Sequence, residues 1–230
     1  MKLLSRIFAV GALLTLTQTL THAFEGKVTL AVTGRGETMN MDYSLKGDKV
    51  RMDMNAKGNE VAMIMDVQKQ ETLMLMPSQG MYMVVPMKKV IQKAAEKAGE
   101  STADVEATGK TETILGYKCS QLLVKDKGSI TELWVADGLG TFMGMGSGMG
   151  GGGMFGGGKS AKSAKWEEVL KGKGGFPLRM ISRDAAGKET SRMEATKIEP
   201  GSLPDSLFVP PPGLQKFEMP NMGGMFKGGE

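Results

Sequence analysis

The chain of 230 residues has one cysteine, Cys119, and one histidine, His22. A single thiol cannot build an internal disulfide framework or a cysteine-rich zinc site. His22 falls in a stretch that reads as a cleaved leader, so the exported chain is expected to hold no histidine. That excludes Ser-His-Asp, Cys-His and histidine–metal chemistry. An excess of one charge is also lacking. There are 29 basic and 25 acidic residues, and removing Lys2 and Arg6 with the leader leaves 27 against 25. The basic residues are scattered among acids, so no nucleic-acid partner is expected. Beyond the leader no segment approaches the roughly 20 apolar residues of a membrane span. No carboxylate pair announces acid–base work: Glu167 and Glu168 are adjacent, and on a helix they diverge by about 100°. A non-enzymatic chain without a cofactor is the expectation.

The leader itself is clear. Residues 1–23 read MKLLSRIFAVGALLTLTQTLTHA, with Lys2 and Arg6 before an uncharged apolar run from Ile7 to Leu20. Thr21-His22-Ala23 places small residues where a signal peptidase reads, so cleavage is expected near Ala23 and the product in a bacterial periplasm or secreted. There is no cysteine near the cut for a lipid anchor.

From Phe24 to Met87 the apolar residues recur with period two. Val28, Leu30 and Val32 alternate with polar neighbours, as do Met39, Met41, Tyr43 and Leu45, and then Val50, Met52 and Met54. Successive strand side chains point to opposite faces, so each run has one apolar and one wet face. Gly34-Arg35-Gly36 and Lys46-Gly47-Asp48 are turn signals, and such short connections require antiparallel neighbours. Strands at 60–67, 70–76 and 81–87 carry apolar residues on both faces, which suggests a covered second face. Lys88 to Ala98 has the apolar stripe of a helix, and Glu100 to Ala107 reads as a loop. Further strands are expected at 111–114, 120–125 and 130–136, and a last hairpin at 176–183 and 190–198 turned at Ala186-Gly187. Lys159 to Lys171 is a second candidate helix.

Between Gly138 and Gly158, 12 of 21 residues are glycine. Ordering glycine costs the most backbone entropy, so an insertion at about 138–165 is expected to be flexible, as is the tail at 218–230. The tail repeats the Gly-Gly-Met-Phe of residues 152–155 at 223–226. Gly153 to Ser160 matches the phosphate-loop spacing, but glycine repeats precede it rather than a strand, and the pattern is a chance product of composition. The fold expected is mainly β with minor α: one strongly curved, half-barrel antiparallel sheet of about ten strands spanning 24–217, with one or two covering helices.

Methionine is the unusual abundance. Of 21, all but Met1 lie beyond the leader, and Met39/Met41, Met52/Met54, Met63/Met65, Met74/Met76 and Met81/Met83 have strand-face spacing. Three readings stand. Methionine is an adaptable core filler. It is also a flexible lining for an apolar ligand, for which Met39, Met41, Met52, Met54, Met63 and Met65 are the candidates. Its thioether is finally a soft ligand that selects Cu(I), with the exposed Met143, Met145 and Met149 as candidates. The Gly-Met-Phe segments could alternatively touch the envelope peripherally. Cys119 reads as a buried, inert thiol, since no base is at hand.

Three stretches carry a resemblance. They are Phe24-Glu25-Gly26-Lys27-Val28; Thr108-Gly109-Lys110-Thr111-Glu112-Thr113-Ile114-Leu115-Gly116-Tyr117-Lys118-Cys119, leading into Glu132-Leu133-Trp134-Val135-Ala136; and Pro204-Asp205-Ser206-Leu207-Phe208-Val209-Pro210-Pro211-Pro212-Gly213. Together they resemble a family of exported bacterial proteins carrying a domain of unknown function, over about residues 24–217 apart from the glycine insertion. The family has no established activity, so the resemblance implies no catalytic residue. The succession of strands is also similar to the periplasmic lipoprotein-carrier superfamily. That architecture implies an apolar ligand or a lipoprotein as partner, held in the hollow of a curved sheet beneath helices.

Overall fold

A computed structural model describes residues 24–34, 36–56, 59–88, 104–126, 128–140, 142–143 and 175–218. The alternating segments form one open, curved sheet of twelve strands. In chain order these are β1 (Gly26–Gly34), β2 (Glu37–Lys46), β3 (Lys49–Ala56), β4 (Asn59–Asp66), β5 (Glu71–Met76), β6 (Met81–Pro86), β7 (Asp104–Ile114), β8 (Tyr117–Asp126), β9 (Ser129–Ala136), β10 (Phe176–Arg183), β11 (Glu189–Pro200) and β12 (Gln215–Lys216). Their spatial order is β12-β6-β5-β4-β3-β2-β1-β11-β10-β9-β8-β7. Two meanders are therefore stitched together by β1 against β11, where Leu30 faces Ala195 and Val32 faces Met193. Neighbours are antiparallel except β12, which joins β6 in parallel.

The short turns explain the meander. Gly47 and Gly187 adopt positive φ at 56° and 80°, a region L side chains avoid and glycine enters freely. Gly26 is required for another reason: a Cβ there would overlap the Glu199 carbonyl of β11.

Registers bring the apolar residues of one face together. Val28, Leu30, Met41, Tyr43, Leu45, Val50, Met52, Met54, Met63 and Met65 belong to one buried cluster, extended across the sheet by Met193, Leu178, Leu133 and Leu122. Each such side chain contributes roughly 1.5–3 kcal/mol when fully buried. A smaller cluster occupies the opposite face of β4 and β5: Ala62, Ile64, Leu75 and Phe208, with Leu203, Leu207, Tyr82 and Leu214 against it.

Two expectations change. The sheet has twelve strands, not about ten. Glu100–Ala107 is not wholly loop, because β7 begins at Asp104. As an edge strand it needs apolar residues on one side only, and Val105 alone of its first three residues packs on the core. The second face of β4–β6 is covered by the C-terminal segment with its one-turn helix at Asp205–Phe208. The short strand β12 follows Pro210-Pro211-Pro212. The expected helices at 88–98 and 159–171 lie outside the described residues apart from Lys88, as do the leader, most of the glycine insertion and residues 219–230 of the tail.

Candidate functional site

The methionine face is built by register. Met41 on β2 sits opposite Met54 on β3; Tyr43 sits opposite Met52, and Met52 opposite Met63 on β4. Val50 faces Met65. Met41, Met52, Met54, Met63 and Met65 are buried, and Met39 packs half-buried at the margin. The six methionines expected to line a hollow thus share one face of three adjacent strands.

Among the described residues, irregular chain after β9 packs on this face at Tyr43 and Leu45. After β9 the backbone turns at Gly138 and Gly140, both with positive φ. Gly140 passes so close to Leu45 that a Cβ would stand 3.2 Å from its Cδ2. This sends Leu139 and Phe142 into full burial. Phe142 stacks on Tyr43 at 5.1 Å, and Phe176 meets both rings edge-on, at 5.2 Å from Tyr43 and 5.1 Å from Phe142. Each such pair contributes about 0.5–1.5 kcal/mol beyond its area. The Tyr43 hydroxyl donates to the Met143 carbonyl (2.9 Å) and accepts from the Met143 amide (2.8 Å). One phenol thereby satisfies both main-chain groups of a residue that has left the ladder.

The expected exposure of Met143 does not hold. It is half-buried against the core, because Tyr43 anchors its backbone there. Met145 and Met149 lie outside the described residues. The importance of Phe142 escapes sequence reading, since it sits in a glycine-rich stretch whose composition hides it.

The opposite face of the β7–β11 half is polar. Arg179 donates to Glu112 (2.9 Å) and Glu194 (2.9 Å), and Arg192 donates to Glu189 (2.9 Å). Trp134 donates its indole N–H to Glu132 (2.7 Å), which also pairs with Arg183. Burial alone would raise the Glu132 carboxyl, but hydrogen bonds from Trp134, Gln121 and Arg183 bring it below the usual range. The hydrogen bond from Arg192 lowers Glu189 likewise. A general acid needs the reverse shift. Cys119 is fully buried, and that burial pushes its thiol up, away from nucleophilic thiolate. Among the described residues no group of three or more His, Cys, Asp or Glu is placed to hold a metal ion. No described helix is long and apolar enough to cross a membrane.

Solved structures place this sheet among known folds. The chain is similar to an uncharacterized conserved protein from Thermus thermophilus, with 11% identity, 86% of this chain and 91% of that one covered, and a TM-score of 0.52. It is also similar to the MucA/MucB complex of Pseudomonas aeruginosa (12% identity, 85% and 58% covered, TM-score 0.47). A third likeness is to a putative outer membrane lipoprotein-sorting protein domain from Vibrio parahaemolyticus (8% identity, 80% and 87% covered, TM-score 0.29). At such identities the likeness concerns the fold, and the Thermus protein alone of the three carries it. No curated protein matches the chain. Residues 24–214 match the family described as a domain of unknown function, DUF4412, and the chain belongs to that family.

Proposed function

We propose that this is an exported, non-enzymatic binding protein of the bacterial periplasm, a single sheet domain over residues 24–217, whose methionine face takes an apolar ligand such as a lipid or a lipoprotein acyl chain. One observation carries the reading. A continuous apolar surface of Met41, Met52, Met54, Met63 and Met65 adjoins Tyr43, on which Phe142 of the irregular segment after β9 is stacked. Irregular segments open at lower cost than strands. A ligand that displaces Phe142 exchanges one burial for another, at about 25 cal/mol per Å² of apolar area. Methionine suits such exchange, because its unbranched thioether chain repacks around different shapes. The leader read at residues 1–23 supports export.

The test is titration of the full chain with a fluorescent fatty-acid probe. Saturable binding is expected, tightened by Phe142→Ala, which empties the place the ligand takes. Met52→Gln should weaken it, provided circular dichroism shows the sheet intact. Absence of saturable binding in the wild type and in Phe142→Ala alike would refute the proposal.

A further inference from the structure

Four methionines lie apart from that face's sealed part. Strands β5 and β6 form a hairpin through the tight turn at Pro77–Gln79, closed by Gly80 in a left-handed conformation. Its register sets Met74 opposite Met83 and Met76 opposite Met81. Alternation then puts all four on one face, at the corners of a square one strand spacing wide and two residues long. Met63, buried on β4, faces Met74 across the next pairing.

Directly paired Cβ atoms stand about 4.5–5.5 Å apart, and diagonal neighbours about 7–8 Å. Each sulfur lies two bonds beyond its Cβ on a chain of freely rotating torsions, so four sulfurs can converge above the square. All four residues are half-buried, neither sealed nor fully open to water. Among the described residues they belong to neither of the two buried clusters. Among the described residues, filling a core does not explain them.

The geometry points to a soft monovalent cation site, Cu(I) by chemistry, held by the thioethers of Met74, Met76, Met81 and Met83. Neutral sulfur donors bind soft ions and give little to Zn²⁺ or Mg²⁺, which prefer nitrogen, thiolate or oxygen. The pairing register carries this assignment. From the sequence alone the glycine-rich Met143, Met145 and Met149 are the better candidates, whereas register shows two M-x-M segments meeting side by side. Binding entails no electron transfer, since Cu(I) enters and leaves as Cu(I). The four residues adjoin the proposed ligand face at Met63, but the Cu(I) titration and the fatty-acid titration read the two separately, so either can fail without the other.

The experiment is anaerobic titration of the full chain with Cu(I) against a chromophoric competitor, followed by ¹³C-methyl NMR of the methionines with Ag(I) as a redox-inert substitute. One ion per chain is expected, with the methyl signals of Met74, Met76, Met81 and Met83 shifting together. Met74→Leu/Met83→Leu and Met76→Leu/Met81→Leu should each weaken binding at least about tenfold, while near-equal side-chain volume preserves the fold. The triple variant Met143→Leu/Met145→Leu/Met149→Leu should bind as the wild type does. No Cu(I) binding, binding unchanged in both hairpin variants, or loss in the triple variant alone would overturn the assignment.

Discussion

Met52 shows how one side chain belongs to both the core and the candidate site. It is 1% exposed, between Tyr43 on β2 and Met63 on β4. Truncation to alanine should cost about 2–5 kcal/mol, because the sheet cannot collapse into the space left. Leucine should cost less than about 1.5 kcal/mol. Urea unfolding measures both, and equal costs would mean that Met52 does not pack as described. Cys119 offers a second check. Buried, and with its thiol pushed up by that burial, it should resist a thiol reagent at pH 8 and react at once in denaturant. Rapid native labelling would contradict its place beneath the Arg179–Glu112 half of the sheet.

Among the elements, the C-terminal segment is the one most exposed to electrostatic control. The Leu203 amide donates to Glu25 at 2.6 Å, and Lys46 pairs with Asp205 at 3.0 Å. The Leu203 backbone bond, with help from Ser202 and Lys46, holds the Glu25 carboxyl below its ordinary range, and Lys46 does the same for Asp205. Depressed carboxylates contribute stability that is present above their ordinary range and fades as pH falls through the depressed values. Lys46 is raised, chiefly by its bond to Asp205, so its share persists until pH climbs through the elevated value. The expected outcome is loss of hydrogen-exchange protection at Leu203 and Leu207 in acid, before the strands of the main cluster open. Lys46→Met should give part of that loss at neutral pH. Protection that follows global unfolding at every pH would remove the idea of a separately held segment.

At this scale the sequence is readable where one face is buried and opaque elsewhere. Alternation in 26–86 marks β1 to β6 because each strand divides apolar from polar. β7 starts without that sign, since Asp104 and Glu106 flank a single inward Val105. β12 has two residues and no pattern. The cover on the second face, Leu203, Leu207 and Phe208, carries a signal of its own in its one-turn spacing. Registers, and with them the methionine square of β5–β6, follow from turn geometry and pairing that composition does not encode.

For the whole molecule, twelve strands in one open sheet leave two edges, β7 and the β12–β6 side, and two faces of unlike character. One face of the β7–β11 half is tied by arginine–carboxylate pairs. The other runs as unbroken apolar surface from β4 through β1 to β8. The proposed role, holding something apolar, rests on that surface. Native mass spectrometry of the full chain, purified from the envelope without detergent, tests this most directly. The account predicts a population heavier by one lipid-sized molecule, which organic extraction strips and added lipid restores. Uniform ligand-free mass before and after lipid is offered would contradict it.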